Sequence, residues 1–346
     1  IIGIYQKNSS LLIRNWYYLF PKVPYLVFYH HIITICTMER HYPVMLSEVL
    51  TFVKQYCSLH EVDHNSLIIF DGTLGHAGHL IALMKEIGHL IRWYIATDVD
   101  KQMISQAQEA INQSLSADLQ SKIIIKHGSY DQALSIAQEL GIEYDVFFLD
   151  LGVNLWHFKL SERGFSIKGE GCLDMRYDQD SDVPTGAYIL NTYSTNQLID
   201  MFVINSEISY PTSNRLAQEI VHRRSERLWE HSTQLNDLTK ELGYSAKVAA
   251  IVFQAIRIQV NSEFNRIRSA LGSVPSAMKT DGIMMILSYH SSEDRIVKQC
   301  GKELEIRGII DRLTKHALPP TYRETQYNKP SRSAKLRVRQ CKQKPL

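Results

Sequence analysis

Three apolar runs each end on an aspartate: SLIIFD at Asp71, RWYIATD at Asp98 and YDVFFLD at Asp150, with SKIIIKHG between the last two. Short, nearly continuous apolar runs are what strands buried on both faces require. Stretches of helical period separate them, such as DKQMISQAQEAINQSL and YDQALSIAQELG. Strands alternating with helices specify a parallel sheet covered by helices on both faces. Ligands of such sheets bind outside the carboxyl ends of the strands, which is where the three acids fall.

The stretch DGTLGHAGH, Asp71 to His79, follows the first strand directly. So much bare backbone suits either a tight strand-to-helix turn or a ligand lying against the chain. A dinucleotide fold would place GxGxxG after the strand; here Asp71 comes first, followed by Gly72, Gly75 and Gly78. That spacing disfavours a nicotinamide-dependent oxidoreductase, and GxxxxGK[ST] is absent. S-adenosylmethionine fits the pattern better. Its ribose diol wants a bidentate carboxylate, which Asp98 can supply. Its adenine wants an aromatic face, offered by Tyr130 in HGSYD, and Asp150 closes the site from the fourth strand.

Past Asp150 no strand is evident from about residue 156 to 244. TNQLIDMFVIN, SNRLAQEIVHRRSERLW and TQLNDLTKEL read as helices. The α/β theme then returns with KVAAIVFQAIRIQVNSEFNRIRSAL, expected as one long helix, and the strand GIMMILSYH. Five scattered cysteines with no CxxC and no Cys/His cluster indicate a reducing compartment, without a zinc site or disulfide framework. A cytoplasmic protein that needs no metal and enters no membrane is the expectation. Residues 1–37 hold no acid and are crowded with aromatics, so Met38 is the expected natural start. From Thr325 to Leu346 there are seven Lys or Arg and no acid. Such a segment is either a nucleic-acid contact, a solvated end, or an edge strand packed through Leu336 and Val338.

The motifs HYPVMLSEVL, FDGTLGHAGH, FFLDLGV, SERGFSIKGEGCLDMRYD, VFQAIRIQVNSE, LSYHSSEDRIVK and KPSRSAKLRV occur in that order, from His41 to Arg339. Together they resemble the MraW/RsmH family, methyltransferases acting on N4 of a cytidine in the decoding region of small-subunit (16S) rRNA. The resemblance implies a Rossmann-like class I methyltransferase fold with a parallel sheet, plus an inserted all-helical recognition domain. The expected division is 38–155 and 246–322 for the methyltransferase domain, 156–245 for the insertion and 323–346 for a basic tail. It places Ala77, Gly78, His79, Asp98, Tyr130, Asp150 and His157 at S-adenosyl-L-methionine. Asp150 is expected to hydrogen-bond the amine or the cofactor, and His290 is a second catalytic candidate, with a structural histidine as the alternative. SERGFS and LDMRYD are expected to shape the cytidine pocket, although Asp174 and Arg176 could form an ordinary ion pair. RNA contact with the small ribosomal subunit is expected from HRRSER, residues 222–227, and from the tail. Ala77 stands where the family usually has glycine, His157 where it usually has glutamine, and SYHSSEDR where it usually has SFHSLEDR. A non-catalytic RNA-binding relative is the remaining alternative.

Overall fold

The computed structural model describes residues 42–159 and 161–342; the expected extension over 1–37 and the start at Met38 lie outside the described residues. Helix α1 (Leu46–Leu59) precedes β1 (Leu67–Asp71). α2 (Gly78–Ile87) leads to β2 (Ile91–Asp98), α3 (Lys101–Ser114) and the short α4 (Ala117–Gln120) to β3 (Ile123–His127), and α5 (Ala133–Leu140) to β4 (Tyr144–Asp150). A helical stretch follows: α6 (Leu155–Lys159), α7 (Gly186–Thr192), α8 (Thr195–Asn205), α9 (Tyr210–Arg224) and α10 (Ser232–Glu241). α11 (Ala246–Val260) and α12 (Glu263–Ser273) return to β5 (Met278–Ser288). Then come α13 (Ser291–Ile306), β6 (Ile310–Arg312), α14 (Tyr322–Tyr327) and β7 (Lys335–Cys341).

The seven strands form one sheet in the order β3-β2-β1-β4-β5-β7-β6. The first five are parallel, and β7 runs antiparallel to both β5 and β6. The expected Rossmann-like α/β fold is therefore present. β1 is hydrogen-bonded to β2 on one side and β4 on the other, so the chain reverses its direction of travel across the sheet there. The crevice at such a switch point is the default ligand site. Every residue of β1 is buried, as are Tyr144 to Leu149 of β4, which is why these runs read as continuously apolar.

One buried acid in β4 breaks that pattern. Asp145 accepts hydrogen bonds from Ile68 N (2.8 Å), Tyr56 Oη (2.8 Å) and Lys279 Nζ (2.9 Å). It ties α1, β1, β4 and β5 together at the end of the sheet opposite the crevice. A carboxylate taken out of water needs such partners, since leaving it unpaired would cost several kcal/mol.

Side chains from α7 to α10 bury a core of their own around Leu190, Phe202, Leu216, Trp229 and Leu235. α11 belongs to both halves: Val252, Phe253 and Ile256 enter that core, whereas Ile258 packs under the sheet. The long helix expected from residue 247 to 271 is broken. α11 ends at Val260, Ser262 takes a left-handed φ of 51°, and α12 starts afresh. Asn261 makes the break useful, donating to Met175 O (2.8 Å) and accepting from Tyr177 N (2.9 Å).

The C-terminal segment also departs from expectation. Residues 335–341 are neither a detached tail nor an edge strand, because β7 lies between β5 and β6. Leu336 and Val338 are fully buried against the α1–α2 face of the sheet. The basic residues between them are neutralised from α13 and β6. Arg337 clamps Asp294 through two bonds (2.7 and 3.1 Å), Lys335 lies 3.3 Å from the same carboxylate, Arg339 meets Glu305, and Lys342 meets Asp311. Burial would raise the Asp294 pKa, but Arg337 and Lys335 outweigh it and hold it down. Deleting everything after Asn328 should therefore lower the melting temperature sharply or prevent folding. Arg337→Ala alone should cost roughly 1.5–3 kcal/mol, the scale of hydrogen bonds to a charged group. Thermal and urea unfolding check this; a truncated chain as stable as the full one would contradict it.

Candidate active site

Two of the three strand-end acids, Asp98 and Asp150, line one cavity of about 450 Å³, within the range of roughly 300–1,000 Å³ usual for small-molecule sites; Asp71 is buried and does not line it. Its walls include Gly72 to Gly75, Gly78, His79, Asp98, Tyr130, Asp150, His157 and His290. Of the residues expected at the cofactor or in catalysis only Ala77 is absent from the wall, and of SERGFS and LDMRYD only Tyr177 lines it. Ala77 is buried, holds φ at 60° as the N-cap of α2, and turns the chain so that Gly78 and His79 face the cavity. A left-handed conformation is strained for alanine. Gly72 is needed for close approach, since a Cβ there would lie 2.4 Å from both Leu149 and Tyr130.

Each acid is held differently. Asp71 accepts from Thr73 N (3.0 Å) and Tyr94 Oη (3.0 Å). Burial pushes its pKa up to about 6, against the pull of those two donors. Asp98 is pinned at one oxygen by Gly75 N and at the other by Asp100 N, both at 2.9 Å. Burial raises its pKa too. Each oxygen has a second lone-pair direction left for a ligand. Asp150 accepts from Tyr289 Oη at 2.5 Å and lies 3.8 Å from His79 Nδ1. Burial, with Asp71 and Glu293 adding to it, pushes Asp150 up to about 7 despite the tyrosine. His79 is itself fixed, its Nε2 lying 3.0 Å from Val44 O.

His157 lines the cavity but is engaged elsewhere. Its Nε2 lies 2.9 Å from Asp100 Oδ2, to which Arg163 Nη1 also donates (2.7 Å). Burial would raise the Asp100 carboxyl, but His157 and Arg163 hold it down at about 2. This network locks the turn after β2 that presents Asp98. The other ring nitrogen, Nδ1, is buried without a hydrogen-bond partner.

His290 caps α13. Its Nδ1 accepts from Glu293 N (3.3 Å) and its Nε2 lies 2.7 Å from Glu293 Oε1. Both nitrogens therefore face the same buried glutamate. Asp174 and Arg176 do form an ion pair (2.8 Å), with Arg176 also reaching Ser181 O.

Several wall residues carried no assignment from the sequence. Arg257 clamps Glu263 with two bonds (2.8 and 3.0 Å), and Tyr177 Oη donates to Glu263 at 3.1 Å. These three, with Asn261, form the wall facing the sheet. The only signal for them was their place in VFQAIRIQVNSE and LDMRYD, as Tyr289 and Glu293 sit in SYHSSEDR.

The arrangement can bind a ligand with hydroxyls and positive charge. The acids are acceptors, and their partners are neutral donors rather than lysine or arginine. The first N–H groups of α2 border the same cavity and favour a carboxylate.

The chain is similar to proteins named ribosomal RNA small subunit methyltransferase H. It is 34% identical over 305 residues to that of Dictyoglomus turgidum, covering 86% of this chain and 96% of the relative. It is 34% identical over 315 residues to that of Brachyspira hyodysenteriae, covering 87% and 96%. Among solved structures it is similar to an rRNA methylase from Streptococcus thermophilus, with TM-score 0.38, 9% identity, and 84% and 95% of the two chains covered. The family model for the MraW methylase family matches residues 38–342. With nearly all of its described length so matched, the chain belongs to the MraW methylase family.

Proposed function

We propose that this methylase transfers a methyl group from S-adenosylmethionine to N4 of a cytidine in the decoding region of small-subunit rRNA. The observation that carries the reading is the convergence of Asp98 and Asp150, with the N-terminus of α2, on one cavity in a chain of this family. The names of its relatives supply the substrate class.

The residues fit the cofactor. Asp98 keeps acceptor capacity on both oxygens for the ribose diol, and Tyr130 offers its ring beside the adenine. Gly78 and His79 place backbone donors for the amino-acid carboxylate. Buried acids without cationic partners suit its sulfonium and ammonium. When bound, the cofactor supplies an activated methyl group. His157 acts chiefly through Asp100, holding the turn that carries Asp98. Asp150 accepts a hydrogen bond from the N4 amine, whose lone pair is conjugated into the ring and must be oriented for reaction. His290 is a positioning residue held by Glu293. The helices over 156–245 form a recognition unit beside the cavity, where a base exposed from its stack can be read.

Of the expected basic segments only some cations are left to RNA: His222 and Arg227 of HRRSER stay exposed. In HRRSER, Arg223 is paired with Glu241 (2.7 Å), and Arg224 donates to Leu190 O and Tyr193 O. Four tail cations are paired within the fold. Lys329 and Arg332 remain exposed beside Pro330 and Ser333 of the cavity wall, with Tyr322 and Tyr327 exposed next to them. Cations interleaved with aromatics suit single-stranded RNA, the first for phosphates and the second for stacking.

Mapping methylated nucleotides by mass spectrometry, after small-subunit rRNA is incubated with the purified protein, tests the reading. A single N4-methylcytidine is expected, and methylation at another atom would refute it. Asp98→Ala should weaken S-adenosylmethionine binding by roughly 1.5–3 kcal/mol, measured by calorimetry; unchanged affinity would remove Asp98 from the ribose site. Lys329→Ala with Arg332→Ala should leave cofactor affinity as it is. The pair should flatten the salt dependence of RNA binding by about 0.7 log units for each phosphate no longer neutralised, and an unaltered slope would exclude this rim.

A further inference from the structure

Asp150 is gripped from several sides. Tyr289 follows β5 directly, and its hydroxyl donates to Asp150 Oδ1 at 2.5 Å. The backbone N–H of Asp150 donates to Thr73 Oγ1 at 2.7 Å, and Asp150 Oδ2 lies 3.8 Å from His79 Nδ1. The chain after β4 must pass under the tyrosine ring. Gly152 does this with φ at 108°, where a Cβ would lie 3.1 Å from Tyr289 Cδ2. Tyr289 itself is fixed through its N–H, which donates to the buried Glu293 Oε2 at 3.0 Å. Its ring is therefore aimed at Asp150 by the same turn that starts α13.

We propose that Tyr289 is a positioning residue for methyl transfer: its hydroxyl occupies Asp150 Oδ1, fixes the carboxylate's orientation, and leaves Oδ2 to accept from the amine. The inference rests on the role given to Asp150 above.

Electrostatics make the hydroxyl matter. Asp150 is faced by Asp71 from β1, His79 from α2, and Tyr289 and Glu293 from the β5–α13 turn. Burial comes first in raising its proton affinity, and Asp71 and Glu293 add to that; the tyrosine hydroxyl opposes all three. A hydrogen bond to the charged form of an acid favours that form. Phenylalanine fills the same space without donating. Asp150 in such a chain takes up a proton at neutral pH and meets the amine as a neutral acid, a weaker acceptor than the carboxylate.

Tyr289→Phe in the full-length protein tests this with two readouts. One is the single-turnover methylation rate on small-subunit rRNA from about pH 5.5 to about pH 9.5. The other is the carbon-13 carboxyl titration of Asp150, assigned by its absence in Asp150→Asn. The carboxyl midpoint and the acid limb of the rate profile should both move up by about one pH unit. The rate should then fall roughly fivefold at about pH 7 and recover at the alkaline end. A loss of rate equal at every pH, an unmoved midpoint, or a moved midpoint with an unchanged rate profile each overturns the proposal. If Asp150→Asn methylates as well as the unaltered protein, the failure lies in the role of Asp150, and the proposal falls with it. If Tyr289→Phe alone behaves as the unaltered protein, only the tyrosine's role fails.

Discussion

Three carboxylates lie buried close together at the ends of adjacent parallel strands, and much of the surrounding structure manages that. Because β1 is paired with both β2 and β4, Asp98 and Asp150 emerge into the same crevice, with Asp71 buried beside them. Their partners are neutral: backbone N–H groups of Thr73, Gly75 and Asp100, and hydroxyls of Tyr94 and Tyr289. Neutral donors do not offset burial, so Asp71 rises to about 6 and Asp150 to about 7. Both lie above the ordinary aspartate value of about 3.9. A raised carboxyl contributes fully to stability below its unfolded pKa and loses that contribution as pH rises through the folded value. Near neutrality these buried carboxylates thus lower stability, and a cationic ligand beside Asp150 would relieve that.

Several basic side chains near the site are committed to other acids. Arg257 holds Glu263, Arg163 holds Asp100, and His290 faces Glu293. These pairs fix the walls and leave the strand-end acids for the ligand. At the far end of the sheet the balance is different. Asp145 there has a lysine, a tyrosine and a backbone donor, and joins four elements. Acids in the same sheet thus serve two ends: Asp145 is satisfied by the protein and stabilises it, whereas Asp98 and Asp150 open onto the cavity.

The sheet and the site acids were legible because both depend on local signals. Buried strands are apolar on both faces, and an acid at the end of each run is visible in a short window. Helical period likewise marked α8, α9 and α10. What was not legible depends on distant partners. KLRVRQC alternates apolar and basic residues, and nothing near it in sequence reveals that Asp294 and Glu305 would neutralise it about forty residues upstream. The break at Asn261 and Ser262 arises because Met175 and Tyr177 claim the Asn261 side chain. Asp145 is hidden inside an otherwise apolar run. His157 was legible as a candidate site residue, and it lines the cavity, but not as the partner of Asp100.

The most direct test of the account is whether S-adenosylmethionine displaces protons from the strand-end acids. Calorimetric titrations at about pH 6.5, in buffers of different ionisation enthalpy, give the number of protons exchanged on binding. A cation entering a cavity of partly protonated carboxyls favours their charged forms, so the account predicts net proton release, reduced in Asp150→Asn. Proton uptake, or a binding enthalpy independent of buffer, would contradict it.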